Sequence, residues 1–182
     1  PGGQSNPTYQ VKARNGSYVL RSKPRGKLVA SAHAIDREFR VMSALHRQKF
    51  LVPNPHVLCM DDSVIGSAFY IMSMIDGRVF TNQLLPDVAK EDRREIFISQ
   101  AETLAKLHSF DPSTTGDPLA DLSYMLMQWI RNDEVFGGLA GVDFKAQNIP
   151  TLEEMAEAYC NAAGRAKIPD LNWYFAFNMF RL

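Results

Sequence analysis

Strand signals in this chain stop at residue 77, and everything beyond is patterned as helix. Tyr9 to Ala13 alternates as a strand. Arg14-Asn15-Gly16-Ser17 carries an Asn-Gly hairpin signal, and Tyr18 to Arg21 reads as the returning strand. Ala32 to Arg47 follows as an amphipathic helix, with Ile35, Phe39, Met42 and Leu45 on one face. Pro53 and Pro55 break the chain. Val57 to Met60 and Ala68 to Met74 then form a second hairpin around a turn at Asp61 to Gly66. Strand, strand, helix, strand, strand predicts an antiparallel sheet with one packed helix, an α+β arrangement.

The second half supplies helices with readable ends. Asp87 to Ser109 is helical, burying Phe97, Ala101, Leu104, Ala105 and His108, with Lys90, Asp92, Arg93 and Arg94 expected to face water. His108 reads as a hydrogen-bonded core or helix-end histidine, since a lone imidazole is no acid–base unit. Asp117 is an N-cap and Pro118 a first helical residue, opening a stripe of Leu119, Leu122, Leu126 and Trp129. Asp121 sits in the first turn, where a carboxylate suits the helix dipole. Asn132 to Asn148 is expected to be a loop. Thr151 and Glu154 form a capping box for a helix that Gly164 stops. Asp170 caps a last helix whose aromatics, Trp173 to Phe180, are expected to pack in the core.

Two charges stand out in the first half. Arg21 ends an apolar strand, and Glu38 lies beside the apolar face of the next helix. Such a pair can meet across a cleft, and kinase-like enzymes use it to hold nucleotide phosphates. A surface Arg and a solvated Glu account for the same two residues. Ahead of them, Gly2-Gly3 sits in a turn-rich entry, where glycine permits close backbone approach to an anion or simply a turn.

Bulk composition excludes some classes. Lys+Arg and Asp+Glu both number 20, so no global field favours nucleic acid or an anionic membrane. No apolar run approaches the ~20 residues of a membrane span, and no signal peptide is visible. Cys59 and Cys160 are too few and too far apart for a disulfide framework; they read as buried thiols in a reducing, cytoplasmic setting.

Gly2-Gly3-Gln4-Ser5-Asn6, Tyr18-Val19-Leu20-Arg21, Asp36-Arg37-Glu38-Phe39, Phe69-Tyr70-Ile71-Met72, Leu104-Ala105-Lys106-Leu107-His108 and Gly116-Asp117-Pro118-Leu119-Ala120-Asp121-Leu122 come in a telling order. In order and spacing the chain resembles the aminoglycoside phosphotransferase family, closest to the branch attached to or encoded near acyl-CoA dehydrogenases. The resemblance implies a protein kinase-like fold: residues 1–75 as a nucleotide-binding lobe and 76–182 as a helical lobe. It implies an ATP- and Mg²⁺-dependent kinase acting on a small-molecule hydroxyl, such as that of a hydroxyacyl compound. Gly2, Gly3, Ser5 and Asn6 would cover the ATP phosphates. Arg21 would bind phosphate where many relatives place a Lys, with Glu38 as its ion-pair partner. Met72, Ser73 and Met74 would line the hinge that meets adenine. Asp121 would brace the catalytic loop, beside Asp117 as a structural residue.

One departure cuts against this. The family's His-Gly-Asp loop, its Asn and its metal-binding Asp should lie between the helix ending near His108 and Gly116-Asp117-Pro118, yet only Ser109 to Thr115 separates them. None of His33, His46, His56 and His108 begins a His-x-Asp. Asp143 and Asn148 have Asp-x-x-x-x-Asn spacing but lack the His and follow the Asp121 helix, so they are rejected. No catalytic or metal-binding residue is therefore assigned. Three accounts stand: residues 110–116 join parts that are not consecutive in the full protein, the protein is a non-catalytic nucleotide- or partner-binding module, or the resemblance misleads.

Overall fold

The first hairpin turns one position earlier than its sequence signal suggests. Strands β1 (Thr8–Ala13) and β2 (Gly16–Ser22) pair antiparallel with Ala13 opposite Gly16, so Arg14 and Asn15 form the turn and Gly16 already belongs to β2. The protein is described by a computed structural model covering residues 6–24, 34–110, 117–131 and 137–181. It divides into two compact units, Pro1–Arg78 and Val79–Leu182.

In the first unit, β3 (Pro55–Cys59) and β4 (Phe69–Ser73) complete a four-stranded sheet of order β1-β2-β4-β3, with every neighbouring pair antiparallel. Register places Arg21 opposite Tyr70 and Val19 opposite Met72. Side chains alternate across a strand, so these four share one face. Helix α1 (Ile35–Arg47) packs on that face. Ile35, Ala68 and Tyr70 are buried there, with Phe39, Met42, Leu58 and Met72 packed against them. Burying a side chain such as Ile35 is worth about 1.5–3 kcal/mol. No side chain caps the helix at Ala34, whose carbonyl instead accepts from the N–H groups of Arg37 and Glu38. The expected helix start at Ala32 lies outside the described residues.

The second unit is helical. Helix α2 (Lys90–His108) contributes Phe97, Ala101 and Ala105 to its core; α3 (Pro118–Leu126) contributes Leu119, Leu122 and Leu126; α5 (Leu152–Ala163) contributes Met155 and Tyr159. A 3-10 turn, Met127–Trp129, ends α3 and buries Trp129, whose indole N–H donates to the Pro150 carbonyl at 2.8 Å. Three of the expected helix ends are present. Asp117 accepts from the Leu119 N–H at 2.9 Å, Thr151 and Glu154 close a reciprocal capping box, and Gly164 ends α5 with φ +64°.

Several expectations need correction. Arg93 and Arg94 do not simply face water: Arg93 donates to Gln147 at 2.8 Å, and Arg94 grips both oxygens of Glu154 at 2.9 and 2.6 Å. Part of the expected loop is a short helix, α4 (Phe144–Gln147), with Asp143 at its N-cap and Asn148 closing it in the left-handed region. This capping role accounts for the Asp143/Asn148 spacing. The final helix α6 (Leu171–Arg181) buries Phe175 and Asn178, while Trp173, Phe177 and Phe180 are exposed, Phe180 by 92%. Its aromatic content is thus only partly core. Cys160 is buried, Cys59 only partly so, and both are free thiols.

Candidate functional site

Arg21 and Glu38 come together in the first unit. Strand alternation turns Arg21 toward α1, and Glu38 stands on the first turn of that helix. Nε of Arg21 lies 2.9 Å from Oε2 of Glu38, and Nη2 donates to Oε1 at 3.4 Å. The Nε–H is not aimed at the carboxylate despite the short distance, so this buried donor makes no hydrogen bond among the described residues. Both side chains remain about one-third exposed, at 30% and 37%. An aqueous anion could therefore reach the guanidinium, whose planar fork suits phosphate.

Glu38 has further partners that sequence reasoning missed. Asn6 donates to Oε1 at 2.9 Å, and the Tyr70 hydroxyl donates to Oε2 at 3.1 Å. Burial, and then the Glu38 charge, pushes the Tyr70 hydroxyl up to about 12. Its β4 register opposite Arg21 could have been found only by pairing the strands correctly. Asn6, expected as a phosphate contact, spends an amide N–H on Glu38. Gly2, Gly3 and Ser5 lie outside the described residues.

Of the expected hinge residues, Met72 packs on the α1 face of the sheet. The Ser73 N–H donates to the Asn54 carbonyl at 2.9 Å, and the Met74 N–H to Ser17 at 3.4 Å. A base contact through either N–H would have to displace those bonds.

In the second unit, Asp117 caps α3 and also accepts from the Tyr174 hydroxyl at 3.0 Å. Asp121 is exposed, with Oδ2 3.6 Å from Nε2 of His108. That separation exceeds hydrogen-bond reach, leaving Nε2 without a hydrogen-bond partner among the described residues. The other ring nitrogen, Nδ1, is 2.8 Å from the Tyr159 hydroxyl. His108 is thus the hydrogen-bonded core histidine at a helix end that the sequence suggests, and tertiary packing supplies a hydroxyl on one side and a carboxylate nearby on the other. Burial pushes its pKa below the ordinary value; Asp121 pushes it back up in part.

For ATP, the residues present fit: a guanidinium about one-third exposed, anchored by a carboxylate. For Mg²⁺ they do not, because no group of three or more His, Cys, Asp or Glu among the described residues could hold a metal ion.

A four-stranded antiparallel sheet carrying one helix, followed by a helical unit, defines an α+β fold of the protein kinase-like class. The chain belongs to the phosphotransferase enzyme family, whose model matches residues 1–115. A crystal structure from Ralstonia eutropha, provisionally assigned as an aminoglycoside phosphotransferase, superposes with a TM-score of 0.84 at 26% identity, covering 98% of this chain and 78% of that one. A probable acyl-CoA dehydrogenase of Arabidopsis thaliana is 50% identical over 119 residues, 63% of this chain and 14% of that protein. Acyl-CoA dehydrogenase family member 11 of Gallus gallus is 29% identical over 268 residues, 99% of this chain and 34% of that protein. The chain thus spans 14% to 34% of these relatives. A match of 268 residues against a chain of 182 leaves at least 86 positions without a counterpart here. Among the described residues no helix is long and apolar enough to cross a membrane.

Proposed function

We propose that this chain is the nucleotide-holding portion of an ATP- and Mg²⁺-dependent phosphotransferase that acts on a small-molecule hydroxyl. The observation that carries this reading is the Arg21–Glu38 pair, on the strand and helix where the family resemblance expects a phosphate anchor. Arg21 would donate to nucleotide phosphates while Glu38 holds its guanidinium in place. Phosphoryl transfer rests mainly on such positioning and charge neutralisation. The acceptor base and the Mg²⁺ ligands belong, in this reading, to positions that the Gallus relative carries and this chain lacks. Relatives named as acyl-CoA dehydrogenases favour a hydroxylated acyl compound as acceptor over an antibiotic. Free thiols at Cys59 and Cys160 suit a reducing, cytoplasmic setting.

The 86 or more unmatched positions also favour a second reading, in which the chain binds nucleotide or a partner without transfer. One experiment addresses both. The chain is titrated with a non-hydrolysable ATP analogue, then incubated with γ-labelled ATP and a hydroxyacyl-CoA. Saturable binding that Arg21→Ala abolishes supports the nucleotide site, and an unchanged Kd in that variant overturns it. Label on the acceptor favours the enzyme; binding without label favours the second reading.

A further inference from the structure

Glu38 receives two neutral donors besides Arg21, and both are buried. Asn6 and Tyr70 are each only 3% exposed. Near Asn6, the Thr8 hydroxyl donates to the Asn6 carbonyl at 3.1 Å and the Ser22 N–H to the Pro7 carbonyl at 2.9 Å. Tyr70 is fixed by β4 and by its ring contact with Phe39, centroid to centroid 5.9 Å. Asn6 reaches Oε1 and Tyr70 reaches Oε2, so each carboxylate oxygen has one neutral donor as well as Arg21 nearby.

A carboxylate offers about four lone-pair positions. Left alone with an Arg, it favours a bidentate fork, two parallel N–H···O bonds of about 2.7–2.9 Å. The fork is not closed here. Nη2 stands off at 3.4 Å, and the Nε–H is unsatisfied. We infer that Asn6 and Tyr70 are positioning residues of the phosphate site: by occupying Glu38 they keep Arg21 from closing fully on the carboxylate, so that the exposed part of its guanidinium stays available to an anion. The same bond ties Asn6, which directly follows the stretch Gly2 to Ser5, to helix α1. This inference rests on the reading of Arg21–Glu38 as a nucleotide-phosphate anchor.

The test measures Kd for a non-hydrolysable ATP analogue, and the thermal midpoint, in Tyr70→Phe and Asn6→Ala. Each is made alone and in a Glu38→Ala background. Tyr70→Phe keeps the ring and its packing, so it folds even if Asn6→Ala does not. Each loss of a donor to a charged group is expected to raise Kd roughly 3- to 10-fold. In the Glu38→Ala background the same changes should have no further effect, since the group they act through is gone. A structural role alone would lower the midpoint and add to the Glu38→Ala effect instead of vanishing into it. Unchanged Kd in both single variants, in a protein whose binding Arg21→Ala abolishes, overturns the inference and leaves the anchor standing. Binding indifferent to Arg21→Ala overturns the anchor and the inference with it.

Discussion

The Tyr159 hydroxyl lies 2.8 Å from Nδ1 of His108, joining α5 to the last turn of α2 inside the helical core. The His108 side chain is 4% exposed. Burial depresses its pKa, with Arg165 acting in the same direction and Asp121 and Asp117 opposing. The folded state therefore resists protonation more than the unfolded chain does. Above about pH 6.5, the unfolded value, both states are neutral and stability is fully present; as pH falls below it, the unfolded chain takes up a proton first and stability declines toward the folded pKa. Urea unfolding at pH 7.0 and 5.5 should show that decline, and His108→Gln should flatten it. An equal slope in the variant would place the titration elsewhere.

Glu154 does two jobs at the start of α5. It accepts from the Thr151 N–H at 2.7 Å and from both terminal nitrogens of Arg94. Those contacts hold its carboxyl below the usual value, Arg94 contributing most. The ion pair is about 40% exposed on either side, so screening leaves it little. Glu154→Ala should cost about 1–2 kcal/mol, mostly from the cap, and Glu154→Gln about half that. Denaturant midpoints at low and high salt separate the parts: the cap's share should persist at 1 M NaCl. Because this carboxyl is depressed, its contribution is present above the unfolded value of about 4.5 and is lost as pH falls through the folded pKa.

Asn148 adopts φ +53° and donates to the carbonyls of Lys90 and Glu91 at 2.8 and 3.0 Å. Asn148→Gly should lose only those bonds. Asn148→Val loses them and adds a β-branched residue in the left-handed region, costing about 2–4 kcal/mol in all. Equal midpoints for the two variants would show that the backbone conformation contributes nothing.

Leu122 is 0% exposed at the centre of the helical core, whereas Phe180 is 92% exposed on α6. Leu122→Ala should destabilise by about 2–5 kcal/mol. Phe180→Ala should fall within about 0.5 kcal/mol of the parent. A large loss at Phe180 would mean that the α6 face is covered in solution.

What could be read in advance follows from range. Strand and helix periodicity are local, so Arg21 and Glu38 could be set on facing surfaces, and Asp117, Thr151 and Glu154 could be recognised as caps. Asn6 and Tyr70 are each 32 positions from Glu38, and His108 is 51 from Tyr159. Their encounters depend on strand register and helix packing, which no local pattern encodes. The α6 aromatics misled for a related reason: aromatic content signals apolar area but not which side is covered.

The approach of His108 to Asp121 brings the last turn of α2 beside the first turn of α3. A long excursion of chain between those two helices would leave and re-enter the scaffold through one doorway. Lengthening a closed loop is thermodynamically mild, about 0.6 kcal/mol per doubling. The packing of the helical unit can therefore be kept while the length of chain joining α2 to α3 changes.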